Sequence, residues 1–154
     1  MRCYRHINAQ LQCNFAVFRE SQDMLKVVIL DDNAASRDLL NTVLTNGGHH
    51  VVGDSNTSPA GRAKMIKLRP QVVCIDIGEA NSDGLMLLDS IRSELPKALV
   101  FLVSSMIDST TVESALQRGV HGFIVKPFNP QTVLTTIRNA ILKFARQQRI
   151  QGKI

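Results

Sequence analysis

Five side chains able to handle a charged oxygen compound stand just past short apolar runs. Lys26-Val27-Val28-Ile29-Leu30 stops at Asp31-Asp32, Gln71-Val72-Val73-Cys74-Ile75 at Asp76, Leu99-Val100-Phe101-Leu102-Val103 at Ser104-Ser105, and Gly122-Phe123-Ile124-Val125 at Lys126. Carboxylates are hard oxygen donors suited to a hydrated, octahedral Mg²⁺. Three of them crowded together repel one another, so a divalent cation is needed to keep Asp31, Asp32 and Asp76 ionised at one place. Lys126 adds a point charge and Ser104 a directional hydrogen bond, and the set suits a tetrahedral dianion lying between metal and lysine. A carboxylate standing alone, as Asp76 does, can accept a phosphoryl group as an aspartyl phosphate. Ser104 is the rival nucleophile, but no histidine lies near the expected strand ends to act as its base. A single acid at a strand end reads as a rim or capping residue; five such groups brought to one edge argue for a site.

That convergence requires the apolar runs to be parallel neighbours in one sheet, because only then do all their ends share an edge. The segments between them read as helices. Asn33 caps a helix to about Asn46 with Leu39, Leu40, Val43 and Leu44 inward, stopped by Gly47-Gly48. His49 to Gly53 is a short strand whose two histidines point to opposite faces. Ser58-Pro59 starts a helix carrying Ala63, Met65, Ile66 and Leu68 to Arg69-Pro70, with a basic exposed side of Arg62, Lys64, Lys67 and Arg69. Asp83 caps a helix from Gly84 to Leu95-Pro96 through Leu85, Leu87, Leu88 and Ile91. Asp108 or Ser109 caps the next, through Val112, Ala115 and Leu116 to Arg118, with Gly119 as terminator. Asn129-Pro130 opens the last, with Val133, Leu134, Ile137, Ile141 and Phe144 inward, running to about Gln147. Five strands alternating with five helices predict a three-layer α/β sandwich with a doubly wound, flavodoxin-like parallel sheet, not a barrel.

The chain has 154 residues, of which 44% are hydrophobic, enough for one domain with a real core. The net charge of +5 sits at the ends. From Leu25 to Leu142 eleven basic residues balance eleven acidic ones, while the last twelve residues contribute +4 and the first twenty-four +1. That pattern speaks against a nucleic-acid-binding domain and for a basic tail at 148–154. Residues 1–23 form an extension in which Leu11, Phe15 and Phe18 have helical spacing while Leu11, Cys13, Phe15 and Val17 alternate as in a strand; the spacing leaves both open. Cys3, Cys13 and Cys74 have no metal-ligand spacing, and an odd number suits no disulfide framework. No apolar run is long enough for a membrane span, and polar residues break up any signal sequence, so a cytoplasmic location is expected. Glycine-rich phosphate cradles of the G-x-G-x-x-G or P-loop kind are missing from the sequence.

From about Met24 to Lys143 the chain resembles the receiver domain of bacterial two-component response regulators, close in size to the stand-alone chemotaxis type. The resemblance is carried by Val28-Ile29-Leu30-Asp31-Asp32-Asn33, by Asp76 with Asp83-Gly84-Leu85 after it, by Ser104-Ser105, and by Gly119 through Gly122-Phe123-Ile124-Val125-Lys126-Pro127-Phe128. It implies a receiver domain at 24–147, with Asp76 as phosphoacceptor, Mg²⁺ held by Asp31, Asp32, Asp76 and the carbonyl of Gly78, and Ser104 and Lys126 contacting the phosphoryl group. Phe123 falls on the aromatic that swings inward on activation, and Pro127 follows the lysine in a bond commonly cis in the family. The implied activity is a signalling switch that catalyses its own Mg²⁺-dependent phosphorylation and dephosphorylation. A histidine kinase or phosphotransfer protein would feed it. A downstream protein partner, or a second copy in a homodimer, would read the face made by the fourth helix, fifth strand and fifth helix, with no direct nucleic-acid or membrane contact. Glu79-Ala80 and the side-chain-free Gly78 depart from the family pattern, which bears on phosphoryl lifetime. The competing reading is a phosphorylation-independent interaction module.

Overall fold

A computed structural model of the chain describes residues 25–78 and 81–151, with side chains as far as Gln148; the 1–23 extension, Glu79-Ala80 and the end of the basic tail lie outside them. The described residues alternate strand and helix: β1 (Lys26–Leu30), α1 (Ala34–Asn46), β2 (His50–Ser55), α2 (Pro59–Lys67), β3 (Val72–Asp76), α3 (Ser82–Glu94), β4 (Leu99–Ser104), α4 (Ser109–Gln117), β5 (Gly122–Val125) and α5 (Pro130–Gln151). All strand pairs are parallel, in the order β2-β1-β3-β4-β5. This is the flavodoxin-like α/β sandwich that the alternation predicts.

Burial follows position in the sheet. The central strands β1, β3 and β4 are covered on both faces and are buried almost throughout, whereas the edge strands β2 and β5 are mostly half-buried. Alternate residues feed two cores. Val27, Ile29, Val72, Cys74, Phe101, Val103 and Ile124 pack with α1 and α5, and Val28, Leu30, Val73, Ile75, Val100 and Leu102 pack with α2, α3 and α4. Cys74 is fully buried, and burial pushes its thiol pKa up to about 12, as suits a small packing residue.

Asn33 caps α1, Ser58 caps α2 with Pro59 behind it, and Asn129 receives the Thr132 N–H at the start of α5, all as expected. Between the two candidates for α4, Asp108 is the cap, accepting from Thr111 N at 2.8 Å. At α3 the expected cap is displaced: Asn81, not Asp83, accepts from Gly84 N at 3.0 Å, and the helix starts at Ser82. Asp83 lies within the first turn, where a negative charge favours the helix dipole.

Other expectations shift for physical reasons. Leu39 is 52% exposed because it lies about 100° round α1 from Leu40 and misses the stripe of Leu40, Val43 and Leu44. On α2 the inner pair is Gly61 and Met65, while Ala63 is exposed. A Cβ at Gly61 would collide with Ser55 Oγ and the Asn56 carbonyl, so glycine lets the helix press on the end of β2 and the turn that follows it. β2 runs on to Ser55, with Val52 as the extra residue where its register shifts opposite Val27 and Val28 of β1. α5 continues to Gln151 because no glycine or proline interrupts it before Gly152. No helix among the described residues is long and apolar enough to cross a membrane.

Candidate functional site

The chain steps from β1 to β2 on one side and then to β3 on the other, so a crevice opens past the carboxyl ends of β1 and β3. Register fills it. Leu30 pairs with Ile75, which sets Asp31 beside Asp76; Asp76 pairs with Val103, which sets Ser104 next along; Ser104 pairs with Val125, which delivers Lys126. Lys126 N–H donates to Ser104 O at 2.9 Å, closing this edge, and the Lys126-Pro127 peptide is cis.

The Lys126 ammonium joins two acids. Its Nζ lies 2.6 Å from Asp76 Oδ2 and 2.9 Å from Asp31 Oδ2, with side-chain exposure of 17% for the lysine, 15% for Asp76 and 5% for Asp31. Burial works against the charged lysine, but its pairing with Asp76 and Asp31 outweighs that and raises its pKa above the ordinary value. The other oxygen of each acid takes a backbone donor: Asn33 N to Asp31 Oδ1 at 2.9 Å, and Gly78 N to Asp76 Oδ1 at 2.7 Å. Gly78 makes that return turn at φ +74°, where a side chain would be strained.

Asp32 goes elsewhere. Its Oδ1 accepts from Thr57 N at 2.7 Å and from Thr57 Oγ1 at 2.8 Å, and these bonds hold its pKa below the ordinary carboxylate value. The expected meeting of three carboxylates is therefore reduced to two. Among the described residues no group of three or more histidine, cysteine or acidic side chains is placed to hold a metal ion. The donor chemistry nonetheless fits a hard divalent cation: two carboxylate oxygens, Asp31 Oδ2 and Asp76 Oδ2, already converge on one positive atom, the Lys126 ammonium.

Ser104 is buried, with its hydroxyl engaged locally, donating to Met106 O and accepting from Met106 N, each at 3.1 Å. It shares with Asp76 a cavity of about 690 Å³ lined also by Gly78, Asn81 and Thr111. Phe123 is half-buried against the core cluster beneath α2, α3 and α4.

Arg37 with its partners Asp54 and Asn41, Thr57, and Asn81 escaped sequence reasoning. Arg37 donates from Nη1 to the Asp31 carbonyl at 2.7 Å and pairs through Nε with Asp54 Oδ1 at 3.2 Å, while Asn41 donates to Asp54 Oδ2 at 2.9 Å. Thr57 holds Asp32, and Asn81 caps the helix beside the cavity. Arg37 carried a faint signal, lying on the first turns of a helix that starts at the site; Thr57 carried none.

The response regulator receiver domain family matches residues 27–138. Chemotaxis protein CheY of Listeria monocytogenes is 31% identical over 117 residues, covering 76% of this chain and 98% of the relative. Chemotaxis protein CheY of Thermotoga maritima is 30% identical over 112 residues, covering 73% and 93%. Two solved structures share the fold: CheY4 of Vibrio cholerae (TM-score 0.65, 24% identity, 75% of this chain and 98% of that one) and a CheY-like receiver protein of Methanospirillum hungatei (0.68, 22%, 80% and 98%). Phosphotransfer in this family is Mg²⁺-dependent, and its partners are histidine kinases and phosphotransfer proteins. By the reach of that match along the chain, and by a fold shared with solved receiver structures, this protein belongs to the response regulator receiver family and is a phospho-aspartate signalling domain that catalyses its own phosphorylation and dephosphorylation.

Proposed function

We propose that Asp76 is the phosphoacceptor and that Lys126 and Ser104 hold the transferred group, with Mg²⁺ held by Asp31, Asp32, Asp76 and the Gly78 carbonyl. The observation that carries this reading is the Lys126 ammonium 2.6 Å from Oδ2 of Asp76, an acid that lines one cavity together with Ser104. When bound, the cation neutralises charge on the acids and on an incoming phosphoryl group. Asp76 attacks phosphorus of a partner's phosphohistidine; the P–O bond forms, the P–N bond breaks, and the imidazole nitrogen recovers its lone pair. Lys126 stays protonated and shifts part of its contact from the carboxylate to a phosphoryl oxygen.

Ser104 must exchange its Met106 backbone bonds for the phosphoryl group, and the space it leaves lets Phe123 pack further inward beside Pro127. The face of α4, β5 and α5 then reads out the change to a protein partner or a second copy. The exposed Leu116 and Val125 support it as a contact surface. The cytoplasm, where ATP-fed kinases work, is the compartment of this reading. Incubation with acetyl phosphate and Mg²⁺ followed by intact mass should show one phosphoryl group on the protein and none on Asp76→Asn. An equal gain in the variant would overturn the assignment.

A further inference from the structure

We infer that Thr57 is a positioning residue that holds Asp32 off the cation site, so that metal loading is set by a contest between the cation and the turn leading into α2; this rests on the metal-site reading above. Asp32 is exposed, yet it does not wander: one oxygen receives both the N–H and the hydroxyl of a single residue. Those donors are themselves fixed. Ser58 N and Oγ both donate to Asn56 Oδ1, at 3.2 and 2.6 Å, and Ser58 Oγ accepts from Gly61 N at 3.1 Å as the cap of α2. Asp31 N–H donates to Ser55 O at 2.9 Å, tying the end of β1 to the same turn.

No other acid can stand in for Asp32 without cost, since Asp31 and Asp76 each commit one oxygen to a backbone N–H and the other to Lys126. Both Thr57 bonds fall on Asp32 Oδ1, so turning this carboxylate toward a cation shared with Asp31 and Asp76 pulls against them. Such bonds to an ionised acceptor are among the stronger ones, so the contest lowers metal affinity. By linkage, a bound cation in turn loosens the turn at 56–58 and the start of α2. The β2-to-α2 connection is thereby coupled to the state of the site.

The sign of the effect separates this role from a structural one. Thr57→Val deletes the hydroxyl and keeps the shape, and Thr57→Ala is a second variant should the first fold poorly. Binding is read with Mn²⁺ as an electron-spin probe of the full chain, without any phosphodonor. Either variant should bind Mn²⁺ about tenfold tighter, from the loss of one charge-assisted hydrogen bond, and Thr57→Ser should keep wild-type affinity. A purely structural Thr57 would give weaker binding or none. If Asp32→Asn weakens binding but the Thr57 variants bind Mn²⁺ no better than wild type, the Thr57 inference fails and the metal site stands. If wild type takes up no Mn²⁺, or Asp32→Asn binds as well as wild type, the metal-site reading itself fails.

Discussion

Lys126→Met keeps most of the length of the side chain and removes the charge that two acids share. At an effective dielectric of about 20, contacts of 2.6 and 2.9 Å are each worth roughly 6 kcal/mol of Coulomb attraction, most of it offset by taking three charged groups out of water. What the variant leaves is two carboxylates facing each other, with the Asp31 side chain only 5% exposed. The expected loss is about 2–4 kcal/mol at neutral pH, or a fall in Tm on the order of 10 °C for a domain of this size. Urea unfolding followed by far-UV circular dichroism measures it. The same substitution in an Asp76→Asn background should cost about half as much or less, because the amide leaves Asp31 no like charge to oppose. Since pairing raises the Lys126 pKa, the stability it gives is complete below the ordinary lysine range and is lost as pH rises through the raised value. The alkaline limb of the wild-type stability curve should therefore flatten in Lys126→Met. A loss under about 0.5 kcal/mol, or costs that simply add in the double variant, would refute the shared counter-ion account.

His121 tests a second coupling, since its Nδ1 accepts the Val100 N–H at 3.1 Å. Burial, with the nearby charges of Arg92 and Lys143, lowers its pKa below the ordinary value of 6.5. Its contribution is present above that value and lost as pH falls through the lowered one, so urea midpoints should drop between about pH 7 and 5 in wild type and less in His121→Gln; equal slopes would count against it. Asn81→Ala should cost about 1 kcal/mol and Asp83→Ala roughly half that or less, because one loses a cap and the other only a first-turn charge. The reverse order would restore Asp83 as the cap.

The parts of the fold that could be read in the sequence are those decided within a few residues. Asn33, Ser58-Pro59 and Asn129-Pro130 start helices through a side chain that accepts a hydrogen bond three residues on, and the central strands are apolar throughout because both faces are covered. The sequence is ambiguous where two local answers are equally good or where the partner is distant. Asn81 and Asp83 are both cap formers, and only the path of the chain out of β3 chooses between them. The extra length of β2 depends on pairing Asp54 and Ser55 with Ile29 and Leu30, and Gly61 turns inward because of Ser55 and Asn56. Nothing in the α2 sequence announces either.

The site divides along the same line. Lys126 reaches Asp31 and Asp76 because strand ends in one parallel sheet must share an edge, and the order of the apolar runs was enough to expect that. In the sequence Asp32 reads as one group with Asp31 because they are adjacent, and adjacency misleads at a strand end. Consecutive residues leave a strand toward opposite faces, so an acid next to a buried one is directed away from its neighbour's pocket unless the backbone turns it back. Asp31 is 3% exposed and Asp32 is exposed, as this rule requires. The donors that catch Asp32 lie twenty-five residues further along, in a turn with no chemistry of its own to draw attention. A pair of acids in sequence is thus two different groups in space, one built into the sheet edge and the other placed by the neighbouring turn.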